Sequence, residues 1–322
     1  SIFFLSTMEL YKDKVKKTDS DFGDEISFSD ILKILWTGKS WIIIFFLIAS
    51  VIIVFYALSL PNKYQSNALL VPSDEAFMEG SFSQYSSLTK LAGISMPGKV
   101  DQASTGLAVL KSRVFIEHFI ESRGILVPLM ASEGWDNRSG NVIIDKDLYD
   151  EESKKWIRNV SFPKTVTPSL KEAYIFWVKE IFTVTQENKT KLISMTIEHH
   201  SPIVAQEWAS MLIEDLNNYI RDRDVKEAQK SIEFLNAEVA KTNSEELKRL
   251  YYNVIQSKTE KKMLAYSRPE YLFRVIDPPF IPEIKSSPRR SIICILGAIL
   301  GMIIGSFFVL IRHFINTKHQ HK

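Results

Sequence analysis

The chain has 322 residues, 45% of them hydrophobic, and its 40 Lys and Arg against 38 Asp and Glu leave a net charge of only +2. That balance argues against the broad phosphate-binding surface that a nucleic-acid partner requires. The single cysteine, Cys294, excludes an intrachain disulfide framework.

Residues 1–40 are polar and mixed in charge, with Lys12, Lys14, Lys16, Lys17, Lys33 and Lys39. An amphipathic piece, F-S-D-I-L-K-I-L-W, leads out of this tail, and Ser27 or Ser29 can cap it. T-G-K-S at 37–40 has the ending of a phosphate-binding loop, but Lys33 stands where that loop needs its first glycine, so Lys39 reads as an interfacial anchor. Residues 41–60 then run without a charge, flanked by Trp36 and Trp41 at one end and Tyr56 and Tyr64 at the other. The run starts too late and is too long for a signal-peptide core, and it lacks the polar face of a buried soluble helix.

Residues 61–290 are enough for one good-sized folded domain. Y-Q-S-N-A-L-L-V-P reads as a strand stopped by proline, followed by a Ser- and Gly-rich irregular region to about residue 105. Leu107, Leu110, Val114, Phe119 and Ile120 trace one helical face that ends at Gly124. The spacing predicts mostly loop over 128–167, with one charged helix around 147–156. Thr167 and Pro168 are expected to open the next helix, with S-L-K-E as a capping box. F-T-V-T-Q-E and K-L-I-S-M-T-I-E-H flank N-K-T as a hairpin in which Ile193, Met195 and Ile197 share a face. His199 and His200 are read as capping or surface residues rather than metal ligands.

From Ser201 and Pro202 a long helix is expected over about 202–241. In its second half Val225, Ala228, Ile232, Leu235 and Val239 follow the 3, 4, 3, 4 spacing of a coiled-coil seam. T-N-S breaks it and caps a return helix over about 245–266, with Leu247, Leu250, Val254 and Ile255 expected to face inward. The seam is narrow for a hairpin standing alone, which favours contacts with further copies of the chain. Y-L-F-R-V-I-D forms a last strand, expected to pair with the first in one small mixed sheet. A stiff collar follows, containing Pro278, Pro279, Pro282 and Pro288.

The charge-free run at 291–311 closes the pattern, and as a helix of ~1.5 Å per residue it covers roughly 30 Å, the thickness of a bilayer core. Gly297, Gly301 and Gly305 recur every four residues and line one face, which lets another helix approach closely. The expected fold is therefore an α+β membrane protein. Two transmembrane helices (41–60 and 291–311) flank a domain (61–290) that carries a small sheet and a long helical hairpin. The lysine-bearing tail favours a cytoplasmic N-terminus, which places the domain in the periplasm and residues 312–322 back in the cytoplasm.

No set of side chains suggests catalysis, a cofactor or a metal. N-R-S at Asn137 and N-K-T at Asn188 match a glycosylation triplet at chance level.

Taken together, Y-Q-S-N-A-L-L-V-P, I-E-H-H-S-P-I-V-A-Q-E-W, E-A-Q-K-S-I-E-F-L, M-L-A-Y-S-R-P-E-Y-L-F-R-V-I-D-P-P and P-R-R-S-I-I-C-I-L-G-A-I-L-G, in this order between two spans, resemble the Wzz-type chain-length determinants. These are the polysaccharide co-polymerases of Gram-negative bacteria. The resemblance runs from about residue 25 to 314, and the spacing of the four collar prolines departs from the family's usual pattern. It implies an inner-membrane protein with a periplasmic α/β base and a long helix, assembled as a ring-shaped homo-oligomer. It also implies partnership with the O-antigen polymerase and contact with growing lipid-linked polysaccharide. The activity implied is control of how many repeat units are added. The kinase-fused relatives carry a cytoplasmic P-loop domain, which this sequence does not contain. Two rival readings of the same two-span layout are a periplasmic sensor signalling through a partner and a membrane-anchored periplasmic enzyme.

Overall fold

A computed structural model of the protein describes residues 28–73 and 102–320. The lysines at 12–17, the proposed cap Ser27 and the heart of the Ser- and Gly-rich region lie outside the described residues. In chain order come α1 (Phe28–Thr37), α2 (Lys39–Ser59), β1 (Tyr64–Pro72), α3 (Gln102–Leu110), α4 (Arg113–Ser122) and α5 (Leu126–Met130). Two small hairpins follow, β2 (Ser132–Trp135) with β3 (Val142–Ile144) and β4 (Tyr149–Asp150) with β5 (Lys155–Trp156). Then come α6 (Leu170–Phe176), a π-helical turn (Trp177–Ile181), β6 (Phe182–Gln186) and β7 (Ile193–His199). The long helix α7 (Pro202–Lys241), its return α8 (Glu245–Ser267), β8 (Phe273–Asp277) and α9 (Arg290–Gln320) complete the chain.

Two compact units divide these elements. In the first, α1, α2 and α9 pack together, and α2 and α9 are each long and apolar enough to cross a membrane. The second, Pro61–Pro288, is built on a four-stranded sheet in the order β6-β7-β1-β8. Ile193, Met195 and Ile197 are fully buried on one face of β7, as their alternation predicts, beside Ala68 and Leu70 of β1. Onto this face pack α4 (Phe115, Ile116, Phe119, Ile120), Trp177 of the π turn, and the first half of α7. Trp208, Leu212 and Leu216 supply α7's apolar stripe, and Ser201 caps the helix by accepting the Val204 N–H.

Several expectations are corrected. The sheet is wholly antiparallel rather than mixed, because β1 pairs in opposite senses with both β7 and β8. Its first and last strands therefore bring the unit's two ends side by side, where the Lys63 N–H donates to the Ser287 carbonyl at 3.0 Å. Residues 147–156 form a hairpin, not a helix. The Asp150 carboxylate accepts the Glu152 N–H and the Ser153 hydroxyl, Lys154 takes positive φ, and Tyr149 meets Trp156 edge-on. The helical face at 107–120 is two helices, since Ser112 caps α4 through the Phe115 N–H, and Val114 faces solvent.

The helix expected from Thr167 and Pro168 starts later, with Ser169 as its cap. Ser169 accepts the Glu172 N–H at 3.2 Å, but the Glu172 carboxylate turns to Arg158 instead of closing the capping box. Of the two roles expected for His199 it takes the capping one, buried with Nδ1 accepting the Ser201 N–H. Leu247, Leu250 and Val254 point outward on α8, and its inward stripe is Tyr251, Ile255, Lys258, Lys262 and Ala265. The two stripes differ by one residue, about 100° around a helix. Finally, α9 continues beyond the apolar run to Gln320.

Candidate functional site

In the first unit the glycines of α9 face α2. Gly297, Gly301, Gly305 and then Val309 form a buried stripe with a four-residue repeat. A Cβ at Gly297 would sit 2.8 Å from Ile53 Cβ, one at Gly301 would overlap Ala49 Cβ, and one at Gly305 would lie 3.0 Å from Ile42 Cα. The partners descend in number as the glycines ascend, so the two helices run antiparallel. The stripe ends where Val309 packs against Gly38, the residue between α1 and α2, whose missing side chain leaves room for it. Trp41 and Phe45 flank this end by packing on Phe308, with Arg312 over the Trp41 ring and Lys39 over that of Trp36. At the other end Arg290 donates to the Leu60 carbonyl.

The collar lies along the opening of β1. Pro282 is buried, Pro279 and Pro288 are half-buried and Pro278 is exposed. Ser66, itself fully buried, donates its hydroxyl to the Phe280 carbonyl, and the Pro279 carbonyl accepts from Gln206 of α7. The Ser287 hydroxyl donates to Glu198 of β7. The collar is thus tied to the sheet through the Phe280 carbonyl and the Ser287 hydroxyl, and to α7 through the Pro279 carbonyl.

The sequence-derived seam of α7 faces α8: Ala228 is buried, and Val225, Ile232, Leu235 and Val239 are half-buried. Such a narrow contact is closed by polar groups, Lys262 donating to Gln229 at 2.7 Å. At the foot of the hairpin Asp224 takes Lys261 at 2.9 Å and the Tyr271 hydroxyl at 3.0 Å. Burial alone would push this carboxyl up, but Lys261, Tyr271 and Arg223 outweigh it and hold Asp224 below the usual carboxylate range. The outer face of the hairpin leaves Phe234, Leu247, Leu250 and Val254 exposed.

Three polar clusters lie in the base. Asn217, buried in α7, accepts the Leu272 and Phe273 N–H groups and donates to the Phe273 and Ile213 carbonyls. His199 Nδ1 accepts the Ser201 N–H at 3.0 Å, so the ring proton sits on Nε2 and faces the Pro128 carbonyl at 3.1 Å. Burial against Trp208 pushes His199 down to about 4. Arg158 grips Glu172 in a fork and donates to the Thr165 and Val166 carbonyls, fixing the 157–167 loop that presents Phe162 to solvent. Sequence reading did not find these clusters. For Asn217 a signal existed, since it is the polar interruption of an apolar stripe that continues from Ile213 and Leu216 to Ile220.

The family model described as "Chain length determinant protein" (Wzz) matches residues 24–122. No curated protein matches the chain. Among solved structures it is similar to a full-length bacterial polysaccharide co-polymerase, with 16% identity, a TM-score of 0.40, and coverage of 90% of this chain and 99% of that one. It is also similar to a fragment of the polysaccharide co-polymerase WzzB from Salmonella Typhimurium, with 14% identity, a TM-score of 0.30, and coverage of 70% and 100%. The family match covers the segment from the end of the N-terminal tail through α4.

Proposed function

We propose that the protein is a non-enzymatic regulator of O-antigen chain length, a two-span inner-membrane co-polymerase acting with the O-antigen polymerase. The observation that carries this reading is the chain length determinant match at 24–122, which takes in α2 and β1. The unit Pro61–Pro288 would be periplasmic and both ends cytoplasmic, in keeping with the lysines of the N-terminal tail. The exposed stripe of Leu247, Leu250 and Val254 supports assembly with further copies, because a lone helix gains nothing by holding three apolar side chains in water. An oligomer could engage polymerase or growing lipid-linked glycan through many weak contacts whose sum depends on length, as in multivalent binding. Extension would stop when that sum no longer favours retention. Deleting the gene in a strain with no second regulator tests the reading. Altered lipopolysaccharide lengths with polymer still made support it. Complete loss of polymer would point to the polymerase or an essential enzyme instead, and unchanged lengths would reject it.

A further inference from the structure

The second unit contains an open groove of about 710 Å³ between α4 and the middle of α7. Its size is that of a small-ligand site, and its chemistry is unusual for a solvated helix–helix crevice. Phe115 and Phe119 are buried along it, and Tyr219 stands over Phe115 with ring centroids 5.4 Å apart in an edge contact. That contact fixes the Tyr219 ring while leaving the residue 37% exposed. On the α4 side the Arg123 guanidinium is held in plane by Asp215, with Nε to Oδ2 at 2.9 Å, and also reaches Glu214. Asn218 and His118 line the same groove, and their side chains make no hydrogen bond among the described residues.

The charges in the groove nearly cancel. Arg123, Arg223 and Lys226 oppose Asp215 and Asp222. A polyphosphate or a nucleic acid would meet two carboxylates there, and an apolar ligand would strand the polar walls. A fixed aromatic face beside preorganised planar donors and acceptors suits a molecule with C–H faces and hydroxyl edges. We propose that this groove binds a short segment of a neutral or weakly acidic saccharide, with Tyr219 stacking on a sugar ring and Arg123, Asn218 and His118 reading its hydroxyls. The proposal rests on the chain-length function above and supplies a place where the chain itself would touch polymer.

The test is saturation-transfer NMR on the full chain in nanodiscs. The probe is polysaccharide released by mild acid from the lipopolysaccharide of the producing cells. Wild type and Tyr219→Phe are expected to transfer saturation to sugar-ring protons. Tyr219→Ala is expected to weaken binding about tenfold, with oligomer mass and helix content unchanged. Asn218→Ala provides a second, milder loss should the tyrosine variant fail to fold. Absence of transfer to wild type, or equal affinity in Tyr219→Ala and Asn218→Ala, overturns the proposal. A changed oligomer mass in Tyr219→Ala also overturns it, since the groove would then be a contact between copies. If transfer is absent yet gene deletion still alters chain length, the groove assignment falls alone. If deletion changes nothing, the chain-length reading falls first.

Discussion

Asn217 and Phe273 are joined by two hydrogen bonds of opposite sense: the Phe273 N–H donates to Asn217 Oδ1 at 3.0 Å, and Asn217 Nδ2 donates to the Phe273 carbonyl at 3.2 Å. The side chain of a helix residue thereby acts as a strand along the edge of β8 turned away from β1. It welds the sheet to the point where α7 leaves it for the hairpin.

Replacing Asn217 with leucine would leave the Leu272 and Phe273 amides and the Phe273 carbonyl without these partners in a buried site. Stranded buried groups of this kind cost roughly 1–3 kcal/mol each, so a total loss of at least about 3 kcal/mol is expected. Thermal unfolding of the full chain in detergent should show the midpoint falling by roughly 5–10 °C. An unchanged midpoint would mean that the amide does not bear on stability.

The pH dependence of stability should carry the mark of His199. Its pKa of about 4 in the folded protein lies below its ordinary 6.5, so the unfolded chain takes up the proton first. The stabilisation is therefore complete above about pH 6.5 and is lost as pH falls to about 4, up to about 3 kcal/mol. Protonating Nδ1 would also abolish its acceptance of the Ser201 N–H, and with it the support of α7's cap. His200, also pushed down by burial, adds a loss of the same sign as pH falls below about 6.5. In His199→Phe the slope between pH 6.5 and 4 should shrink although the protein is less stable throughout. A slope equal to wild type would assign it to other groups.

How far the sequence discloses this architecture differs from element to element. Ile193, Met195 and Ile197 declare their strand because alternation and burial coincide. The glycine stripe and the capping serines Ser201 and Ser244 are equally legible, since each is a local rule with one geometric solution. The phase of α8 is not. Leu247, Leu250 and Val254 satisfy heptad spacing as well as Tyr251, Ile255 and Ala265 do, and the observed phase is the one in which Asp224 meets Lys261 and Gln229 meets Lys262. Those partners lie more than thirty residues away in sequence. The turn at 150–154 stays hidden for a different reason. Its charged residues suit a helix, and the Asp150 carboxylate's hold on the Glu152 N–H and the Ser153 hydroxyl diverts them.

In the first unit, Gly301→Leu should force α2 and α9 apart, because the new Cβ overlaps Ala49 and lies 3.1 Å from the Phe45 carbonyl. Close packing is the main attraction between helices in lipid, with model contacts worth about 1–2 kcal/mol, so function should weaken before folding fails. Cross-linking between cysteines placed at Ala49 and at Ala298, one turn before Gly301, should decline in the variant. Undiminished cross-linking together with unchanged activity would count against this contact.

The two faces of the hairpin should separate in mutants. Leu235→Asp puts a charge into the half-buried seam and should loosen α7 from α8, lowering helix content. Leu250→Asp, on the exposed stripe, should leave helix content intact and reduce the mass of the complex measured in nanodiscs. If Leu250→Asp assembles as wild type does, the stripe does not join copies.

Regulation of polymer length is read directly by a lipopolysaccharide gel. A deletion strain lacking any second regulator is complemented with wild type, Leu235→Asp or an empty vector, and the band distribution is quantified. Wild type should restore a defined modal length, Leu235→Asp should shift or broaden it without abolishing polymer, and the empty vector should leave it unregulated. An identical distribution with and without the wild-type gene would contradict a role in setting polymer length.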